Sequence, residues 1–321
     1  MHLEGGLKMS YIIIRETKEK YLPDLMNMWN DGEVMKYVNY PNGLGMNGFK
    51  MESWYKWLQS QGDTKHFIIL DDETGFLGET FYCYAKKNKP ASLDIKLIKN
   101  ARGRHVGNLA LSYAIDMLFK NTKAMTAYVD PNKENLPALS LYKRLGFEKV
   151  EKQNDLYPDA VYMEINREKW QKQRLESIRL APIDRDNVFP VCFLKVKDDQ
   201  KNFVATNSLS LAQAAYQTEC IPHAIYCGYN LVGFLMHATD EKDGLQWIYR
   251  LMIDRDFQGL GYGEKAMKIV MDTLKKQSKS NRIRISFEPT NKIARQLYEK
   301  LGFVDSGQMD GDETIYEYTW Q

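Results

Sequence analysis

Apolar residues recur along this chain with two spacings, and stretches of the two kinds alternate. Runs such as YIIIRE at 11–16 and WIYRLMID at 247–254 are typical of strands that are buried on at least one face. Other stretches, such as EKAMKIVMDTLKK at 264–276, place apolar residues three or four positions apart and predict amphipathic helices. Strands that alternate with helices in this way indicate α/β domains with a mixed sheet.

The predicted elements form two similar series. The first has strands near 11–16, 65–70, 74–84, 91–98 and 123–129 and helices near 19–30, 47–60, 106–119 and 134–144. The second has strands at 177–181, 222–228, 230–237, 247–254 and 281–287 and helices at 184–196, 208–218, 262–277 and 291–300. Each series closes with a predicted hairpin. The charged segment between them predicts a helical or extended linker at about 166–176.

The two series are copies of one unit. LPALSLYKRLGF ends at Phe147 and KIARQLYEKLGF ends at Phe303, an offset of 303 − 147 = 156 residues. A period this long indicates duplicated domains and not a solenoid. The sequence therefore predicts tandem domains at 9–165 and 177–321. The same offset, without a gap, relates Asn135 to Asn291, Tyr142 to Tyr298, Gly103 to Gly259 and Gly107 to Gly263.

Composition narrows the classes of function. The 321 residues carry a net charge of +2, with 27% charged and 44% hydrophobic residues, as in ordinary soluble globular proteins. A nucleic-acid-binding protein would show a basic excess, and a membrane span would need an apolar run of about 18 residues. We therefore expect a cytoplasmic protein with a small-molecule partner, no nucleic acid and no membrane. The sequence leaves the oligomeric state open.

Cysteine and histidine spacing predicts no metal site. Cys83, Cys192, Cys220 and Cys227 form no CxxC pair, and the histidines are scattered without ligand spacing. We expect free, buried thiols and no disulfide framework.

The first eight residues, MHLEGGLK, do not read as the start of a fold. Glu-Gly-Gly can be encoded by a bacterial ribosome-binding sequence just ahead of the Met9 codon. We therefore expect the natural start at Met9 and a bacterial source.

Three alternating glycines precede the helix predicted at 262–277. Such a turn after a strand can bring backbone N–H groups and a helix N-terminus to one anion. The P-loop pattern is absent, and the dinucleotide pattern GxGxxG fits Gly259 and Gly261 but fails at Glu264. The remaining pattern is QxxGxG, from Gln258 to Gly263. A helix-entry loop whose glycines serve only turn geometry is the alternative.

QxxGxG, followed by NxxAxxLYxxLGF, resembles the GNAT superfamily of acetyl-CoA-dependent N-acetyltransferases, over nearly the whole chain and twice. The resemblance implies two α/β (α+β) domains, each a mixed, mostly antiparallel sheet flanked by helices. It also implies acetyl-CoA as cosubstrate and transfer of the acetyl group to a primary amine. The positions that would bind coenzyme A in the second domain are Leu251, Met252, Ile253, Gln258, Gly259, Gly261, Tyr262, Gly263 and Asn291.

The resemblance further implies roles for single residues of the second domain. The QxxGxG amides would bind the pyrophosphate, and the preceding strand would diverge from its neighbour and pair with the pantetheine arm. Asn291 would contact the cofactor or order the strand–helix turn. Tyr298 would point its hydroxyl at the cofactor sulfur as a hydrogen-bond donor. Because a phenol is a weaker acid than a thiol, Tyr298 would complete proton transfer only if its pKa were lowered.

The first domain departs from the pattern at one position. Its turn reads RGRHVG, so that His105 stands where the second copy has Gly261. We expect this side chain to crowd the pyrophosphate if the turn needs a positive φ. We still expect a cofactor site there, formed by Arg102, Gly103, Arg104, Gly107 and Asn135, with Tyr142 as the catalytic tyrosine.

The acceptor amine is predicted from weaker resemblances. The second domain looks like the bacterial spermine/spermidine acetyltransferases, and carboxylates such as Asp310 and Glu313 in its final hairpin would suit a polycation. The enzymes that this domain resembles carry an acidic residue at the position of Tyr249. Because this chain has a tyrosine there, Glu219 and Asp254 are the remaining candidates for the general base.

The first domain looks like aminoglycoside 6′-N-acetyltransferases and ribosomal-protein-type enzymes, with Asp94 as its candidate catalytic acid. The alternatives are an aminoglycoside, a protein N-terminus or a lysine as acceptor. An alternative of another class is that one or both domains only bind acetyl-CoA.

Overall fold

The structure is a computed structural model, described here for residues 11–85, 89–151, 159–240, 244–277 and 280–320. The expected start at Met9 lies outside these residues. The chain divides into two compact units between Lys172 and Gln173, a boundary that falls inside the segment 166–176.

The first unit is built on a sheet whose described strands run in the order β1-β2-β3-β4-β5-β7-β6. All neighbours are antiparallel except β4 and β5, which are parallel. The strands are β1 (Ile12–Glu16), β2 (Thr64–Asp71), β3 (Gly75–Cys83), β4 (Ala91–Leu97), β5 (Thr126–Val129), β6 (Glu148–Lys149) and β7 (Met163–Asn166). The helices are α1 (Leu22–Trp29), α2 (Gly32–Met35), α3 (Gly48–Ser60), α4 (Val106–Asn121) and α5 (Leu136–Arg144), and α6 (Arg167–Glu176) follows β7.

The second unit repeats this topology. Its described strands run in the order β8-β9-β10-β11-β12-β14-β13, and only β11 and β12 are parallel. They are β8 (Ile178–Pro182), β9 (Cys220–Cys227), β10 (Asn230–Thr239), β11 (Gln246–Ile253), β12 (Arg282–Phe287), β13 (Val304–Asp310) and β14 (Glu313–Thr319). The helices are α7 (Val188–Phe193), α8 (Asn207–Tyr216), α9 (Tyr262–Gln277) and α10 (Lys292–Lys300).

The shared strand order confirms the predicted fold class of two tandem mixed sheets flanked by helices. The segment left open as helical or extended is the helix α6. Two local predictions were wrong: α2 was missed, and the helix expected at 184–196 is only α7. The shortening has a local cause, because the Asp184 carboxylate accepts bonds from the N–H groups of Asp186 and Asn187 and holds a turn there.

One helix in each unit covers the sheet beside the two parallel strands. In the first unit, α4 contacts β1, β3 and β4, and nearly all of its residues from Ala110 to Phe119 are buried. Its buried Asp116 accepts a bond from Trp170 Nε1 of α6 at 2.8 Å. In the second unit, the corresponding helix α9 contacts β8 and β11.

The four cysteines are free thiols, of which Cys220 and Cys227 are buried and Cys83 and Cys192 are half-buried. Within the described ranges, no group of three or more His, Cys, Asp and Glu side chains is placed to hold a metal ion. No helix in these ranges is both long and apolar enough to cross a bilayer.

Two histidines are paired inside the second unit. His223 on β9 and His237 on β10 stack with ring centroids 5.2 Å apart, and their Nε2 atoms are 3.2 Å apart. Both Nδ1 atoms are buried without a hydrogen-bond partner in the described residues. Burial lowers the pKa of both, and together with the charge of His223 it lowers that of His237 to about 4. The fold therefore favours neutral rings.

We predict that the second unit loses stability as the pH falls from about 6.5 towards 4. The unfolded chain binds more protons than the folded chain in this window, because the folded-state pKa of His237 lies below its unfolded value. Between pH 7 and pH 5 the loss should be about 2 kcal/mol. Native-state hydrogen exchange at β9 and β10 amides should show it in the wild type and much less in His237→Phe. Equal pH slopes in the two proteins would contradict the prediction.

Candidate active sites

The two parallel strands of the second unit separate partway along their length. β11 pairs with β12 over three residues only, the last pair being Ile248 with Ile285. Beyond that point β11 pairs with β10 alone. The register of β10 shifts between Met236 and His237, so that Tyr249 has no partner opposite it. Such a bulge increases the local twist, which turns the remainder of β11 away from β12.

A cavity of about 600 Å³ opens where these strands separate, within the range typical of small-molecule sites. The edge of β11 that β12 leaves unpaired, residues 249–253, lines it. Every position predicted to bind coenzyme A in this domain lies on its wall: Leu251, Met252, Ile253, Gln258, Gly259, Gly261, Tyr262, Gly263 and Asn291.

The loop between β11 and α9 presents backbone N–H groups at one end of this cavity. Gly259 and Gly261 have φ angles of +83° and +81°, a region that glycine adopts at little cost. Among the described residues, the N–H groups of Gly261, Gly263 and Glu264 have no backbone partner, as expected at a helix N-terminus. Such a terminus is suited to a phosphate group.

Two side chains fix the shape of this loop. The Gln258 amide donates to the carbonyl oxygen of Ile253 at 3.0 Å and to Oε1 of Gln200 at 2.8 Å. Asn291 is the N-cap of α10, and its Oδ1 accepts from the N–H of Ala294 at 3.1 Å. Of the two roles left open for Asn291, this geometry favours ordering of the strand–helix turn.

Tyr298 reaches the same cavity from α10. Its buried ring packs on Phe287 and Phe303, with centroids 5.2 Å and 6.0 Å away. Within the described part of the chain, its hydroxyl has no hydrogen-bond partner. Burial, and secondarily the charge of Glu313, raises the pKa of this hydroxyl. The condition for complete proton transfer, a lowered pKa, is therefore not met, and the phenol remains a hydrogen-bond donor.

The two carboxylates suggested as bases do not line the cavity. Asp254 accepts bonds from the N–H groups of Lys195 and Asp256 at 2.9 Å and 3.0 Å, so it holds the loop after β11. Glu219 lies in the turn before β9, where its charge contributes to the environment of Tyr249. Of the carboxylates in the final hairpin, Glu313 enters the cavity, which no local pattern in the sequence indicates.

The charge of three carboxylates outside the cavity wall acts on the end of the cavity that lies farther along β11 from the glycine loop. Tyr249 lines that end. Burial raises the pKa of Tyr249, and the negative charges of Asp240, Glu219 and Asp310 raise it further. These carboxylates favour a cation at Tyr249, where Arg250 of the same strand also lines the cavity.

The parallel strands β4 and β5 of the first unit also separate, but for a different reason. β4 pairs with β5 only at Ala91↔Ala127 and Ser92↔Tyr128, and the pairing of β3 with β4 shows no register shift. A cavity of about 760 Å³ opens beyond these pairs. Among the predicted residues, those on its wall are Asp94, Arg102, Gly103, His105, Gly107, Asn135 and Tyr142.

His105 keeps the turn that glycine forms in the second unit. Gly103 has a φ of +77° and His105 a φ of +60°, close to the values of Gly259 and Gly261. A side chain in this region costs about 1–2 kcal/mol. The imidazole is exposed and lines the cavity, so the expected crowding of an anion is geometrically possible here.

The two arginines of this turn bind protein atoms. Arg104 pairs with the buried carboxylate of Asp71 at 2.8 Å and does not line the cavity. Arg102 lines it, but its guanidinium donates to the carbonyl oxygen of Leu97 at 3.2 Å and 3.3 Å. Arg104 therefore stabilises the turn, which differs from its expected role on the cofactor.

Asp94 belongs to a buried ionic network. Its carboxylate pairs with Lys96, which also pairs with Glu79 at 3.4 Å. Glu79 Oε2 in turn lies 2.9 Å from Nε2 of His66. Burial alone would raise the pKa of Glu79, but Lys96 and His66 lower it to about 2. Asp94 therefore already has a cationic partner, Lys96, which lines the same cavity.

Comparison with known families agrees with this geometry. Residues 12–148 match the acetyltransferase (GNAT) domain, and residues 164–303 match the acetyltransferase (GNAT) family. The chain belongs to the GNAT acetyltransferases. Acetyl-CoA is the cosubstrate of this family. The unpaired β11 edge, the N–H groups of the glycine loop and the unpartnered Tyr298 hydroxyl all suit that molecule.

Several GNAT proteins resemble parts of this chain. It is 30% identical over 140 residues to the spermine/spermidine N(1)-acetyltransferase of Bacillus subtilis (strain 168), covering 42% of this chain and 92% of the relative. The structure of spermidine N-acetyltransferase from Vibrio cholerae with CoA and spermine is 19% identical, with a TM-score of 0.44, and covers 50% of this chain and 97% of that one. Aminoglycoside acetyltransferase AAC(6')-Ib with coenzyme A is 18% identical, with a TM-score of 0.44, over 51% and 99%.

We predict that the residue at the position of His105 and Gly261 sets the affinity of each domain for coenzyme A, with glycine strengthening binding and histidine weakening it. His105→Gly should tighten the weaker of two sites by about fivefold, since about 1 kcal/mol of crowding is relieved. Gly261→His should weaken the tighter site by a similar factor. Calorimetric titration of the full chain measures both.

The two variants are matched controls for each other, since each leaves the other turn intact. Weaker binding by His105→Gly would contradict the prediction and assign the imidazole a favourable contact with the anion.

Proposed function

We propose that the second domain transfers the acetyl group of acetyl-CoA to a primary amine of a polyamine. The observation that carries the proposal is the negative charge of Asp240, Glu219 and Asp310, which acts on Tyr249 at one end of the cavity. The Bacillus subtilis relative, named for action on spermine and spermidine, supports the same class of acceptor. We place the reaction in a bacterial cytoplasm, with a small amine as the partner.

The proposed binding mode uses main-chain groups more than side chains. The N–H groups at the start of α9 would bind the pyrophosphate, and the unpaired edge of β11 would bind the pantetheine arm as an added strand would. This mode places the thioester beside Tyr298, since Leu251 and Tyr298 line one cavity. Bound in this way, acetyl-CoA supplies an activated acyl group. The Tyr298 hydroxyl would then donate a hydrogen bond to the sulfur as it gains charge.

The carboxylates bring a cost as well as a benefit. A primary amine with a pKa of about 10.4 must lose a proton to act as a nucleophile, which costs about 4.6 kcal/mol at pH 7. Negative charge stabilises the ammonium form and so raises this cost at the reacting nitrogen. The same negative charge also binds those ammonium groups of a polyamine that do not react. An acceptor with several amines therefore gains more from this site than a monoamine.

For the first domain we propose acetyl-CoA binding, and one observation favours a role without transfer. Asp94, its candidate catalytic carboxylate, is already ion-paired with Lys96. Transfer to an aminoglycoside or a protein amine remains the alternative for that domain.

We predict that the full chain acetylates spermidine with a much higher kcat/KM than butylamine. Asp310→Asn should lower kcat/KM for spermidine by about fivefold, because one ion pair of about 1 kcal/mol is lost, and should change that for butylamine by less than twofold. Thiol release from acetyl-CoA measures each rate. Equal rates for the two amines would contradict the polyamine assignment, and the absence of transfer to any amine would contradict the proposed activity.

A further inference from the structure

Glu313 is a carboxylate inside the cavity of the second domain, and no function has yet been assigned to it. It is the first residue of β14 and lines the cavity together with Ser286 and Tyr298. Its neighbour Asp312 is exposed on the hairpin. Glu317 on the same strand is held by Arg282 and Arg284 at 3.2 Å and 2.8 Å.

The surroundings of Glu313 leave its charge available. Ser286 Oγ donates to its Oε2 at 2.5 Å, which fixes the orientation of the carboxylate. No Lys, Arg or His of the described residues forms an ion pair with it. Glu264, another carboxylate on the cavity wall, is in contrast occupied by Lys268 and Lys300 at 2.8 Å and 2.6 Å.

The position of Glu313 relative to the catalytic tyrosine supports a chemical role. Tyr298 and Ser286 reach the cavity from α10 and β12, and Phe287 packs on the Tyr298 ring. The negative charge of Glu313 also acts on the Tyr298 hydroxyl, in addition to burial, and raises its pKa. The carboxylate is therefore close to the group expected to contact the sulfur of the thioester.

The first domain offers an independent parallel. The offset of 156 residues aligns Asp130 with Ser286, and Asp130 lines the first cavity. Burial raises the pKa of Tyr142, and the charges of Asp94 and Asp130 raise it further. Both domains thus place a carboxylate near the repeated tyrosine, but Asp130 follows β5 whereas Glu313 begins β14.

We propose that Glu313 accepts the proton that the acceptor nitrogen loses as it attacks the thioester, with Ser286 as the positioning residue. This inference rests on the proposed acetyl transfer. The nitrogen lone pair of the neutral amine forms the C–N bond, and an N–H proton passes to Glu313. The bonding pair of the C–S bond leaves on sulfur, the thiolate takes up one proton from solvent, and Glu313 returns its own proton to solvent.

The energies favour this order of events. An amine nitrogen becomes strongly acidic once it bonds to the acyl carbon, so that an ionised carboxylate can take its proton. Glu313 then passes this proton to solvent, and Tyr298 need only donate a hydrogen bond, as its raised pKa requires.

The test is Glu313→Gln in the full chain, assayed with acetyl-CoA and spermidine from pH 6 to pH 10. We expect kcat to fall by at least about 100-fold, with the KM for acetyl-CoA within twofold of the wild-type value. The acidic limb between pH 6 and pH 10 reflects protonation of the acceptor amine, so the loss of kcat in the variant should be similar at each pH. Asp312→Asn, which removes the same charge from the adjacent residue, should leave kcat within twofold. Ser286→Ala should lower kcat by less than Glu313→Gln does and leave the KM for acetyl-CoA within twofold.

Two results separate the inference from the function on which it rests. A Glu313→Gln protein that keeps its kcat and loses only affinity for spermidine would overturn the inference and make Glu313 an ammonium-binding group. The proposed transfer itself would stand in that case. A wild-type chain that binds acetyl-CoA but acetylates no amine would contradict both.

Discussion

The divergence of two parallel strands is the feature on which both candidate sites depend. A strand inside a sheet normally satisfies its N–H and C=O groups on both sides, and an unsatisfied buried group costs about 1–3 kcal/mol. β11 departs from this rule beyond Ile248: Tyr249 has no partner on either side, and Arg250 to Ile253 pair with β10 alone. The resulting cavity combines main-chain donors and acceptors with apolar walls, which suits a ligand that is itself amide-like.

The two domains reach this divergence differently. In the second, the unpaired residue Tyr249 marks a bulge that turns β11 away. In the first domain, β3 and β4 pair without a register shift, and β4 extends beyond the end of the short strand β5. The difference extends to the charges: the first cavity contains the Lys96–Asp94 pair, whereas the second contains Glu313 without a cationic partner in the described residues. Duplication has conserved the binding geometry more closely than the reaction centre.

The sequence was sufficient for the features that depend on local pattern. The repeat, the glycine loop and the Asn–Tyr spacing on α5 and α10 are all set by residues close together in the chain, so their placement could be predicted. The proposed base, Glu313, could not be predicted, because it enters the cavity only through the pairing of β14 with β12. Asp254 was a plausible base by its place after β11, but two backbone N–H groups use its carboxylate. His105 shows a second limit of prediction from sequence. Although the motif has glycine at this position, His105 adopts the same positive φ angle, so that the turn is retained.

Hydrogen exchange of the full chain with and without acetyl-CoA is the sharpest test, because the proposed binding mode uses main-chain groups. We expect slower exchange in peptides that cover 249–253 and 259–264, and also in those that cover 93–97 and 105–108. Protection confined to other segments, or none at saturating acetyl-CoA, would contradict it.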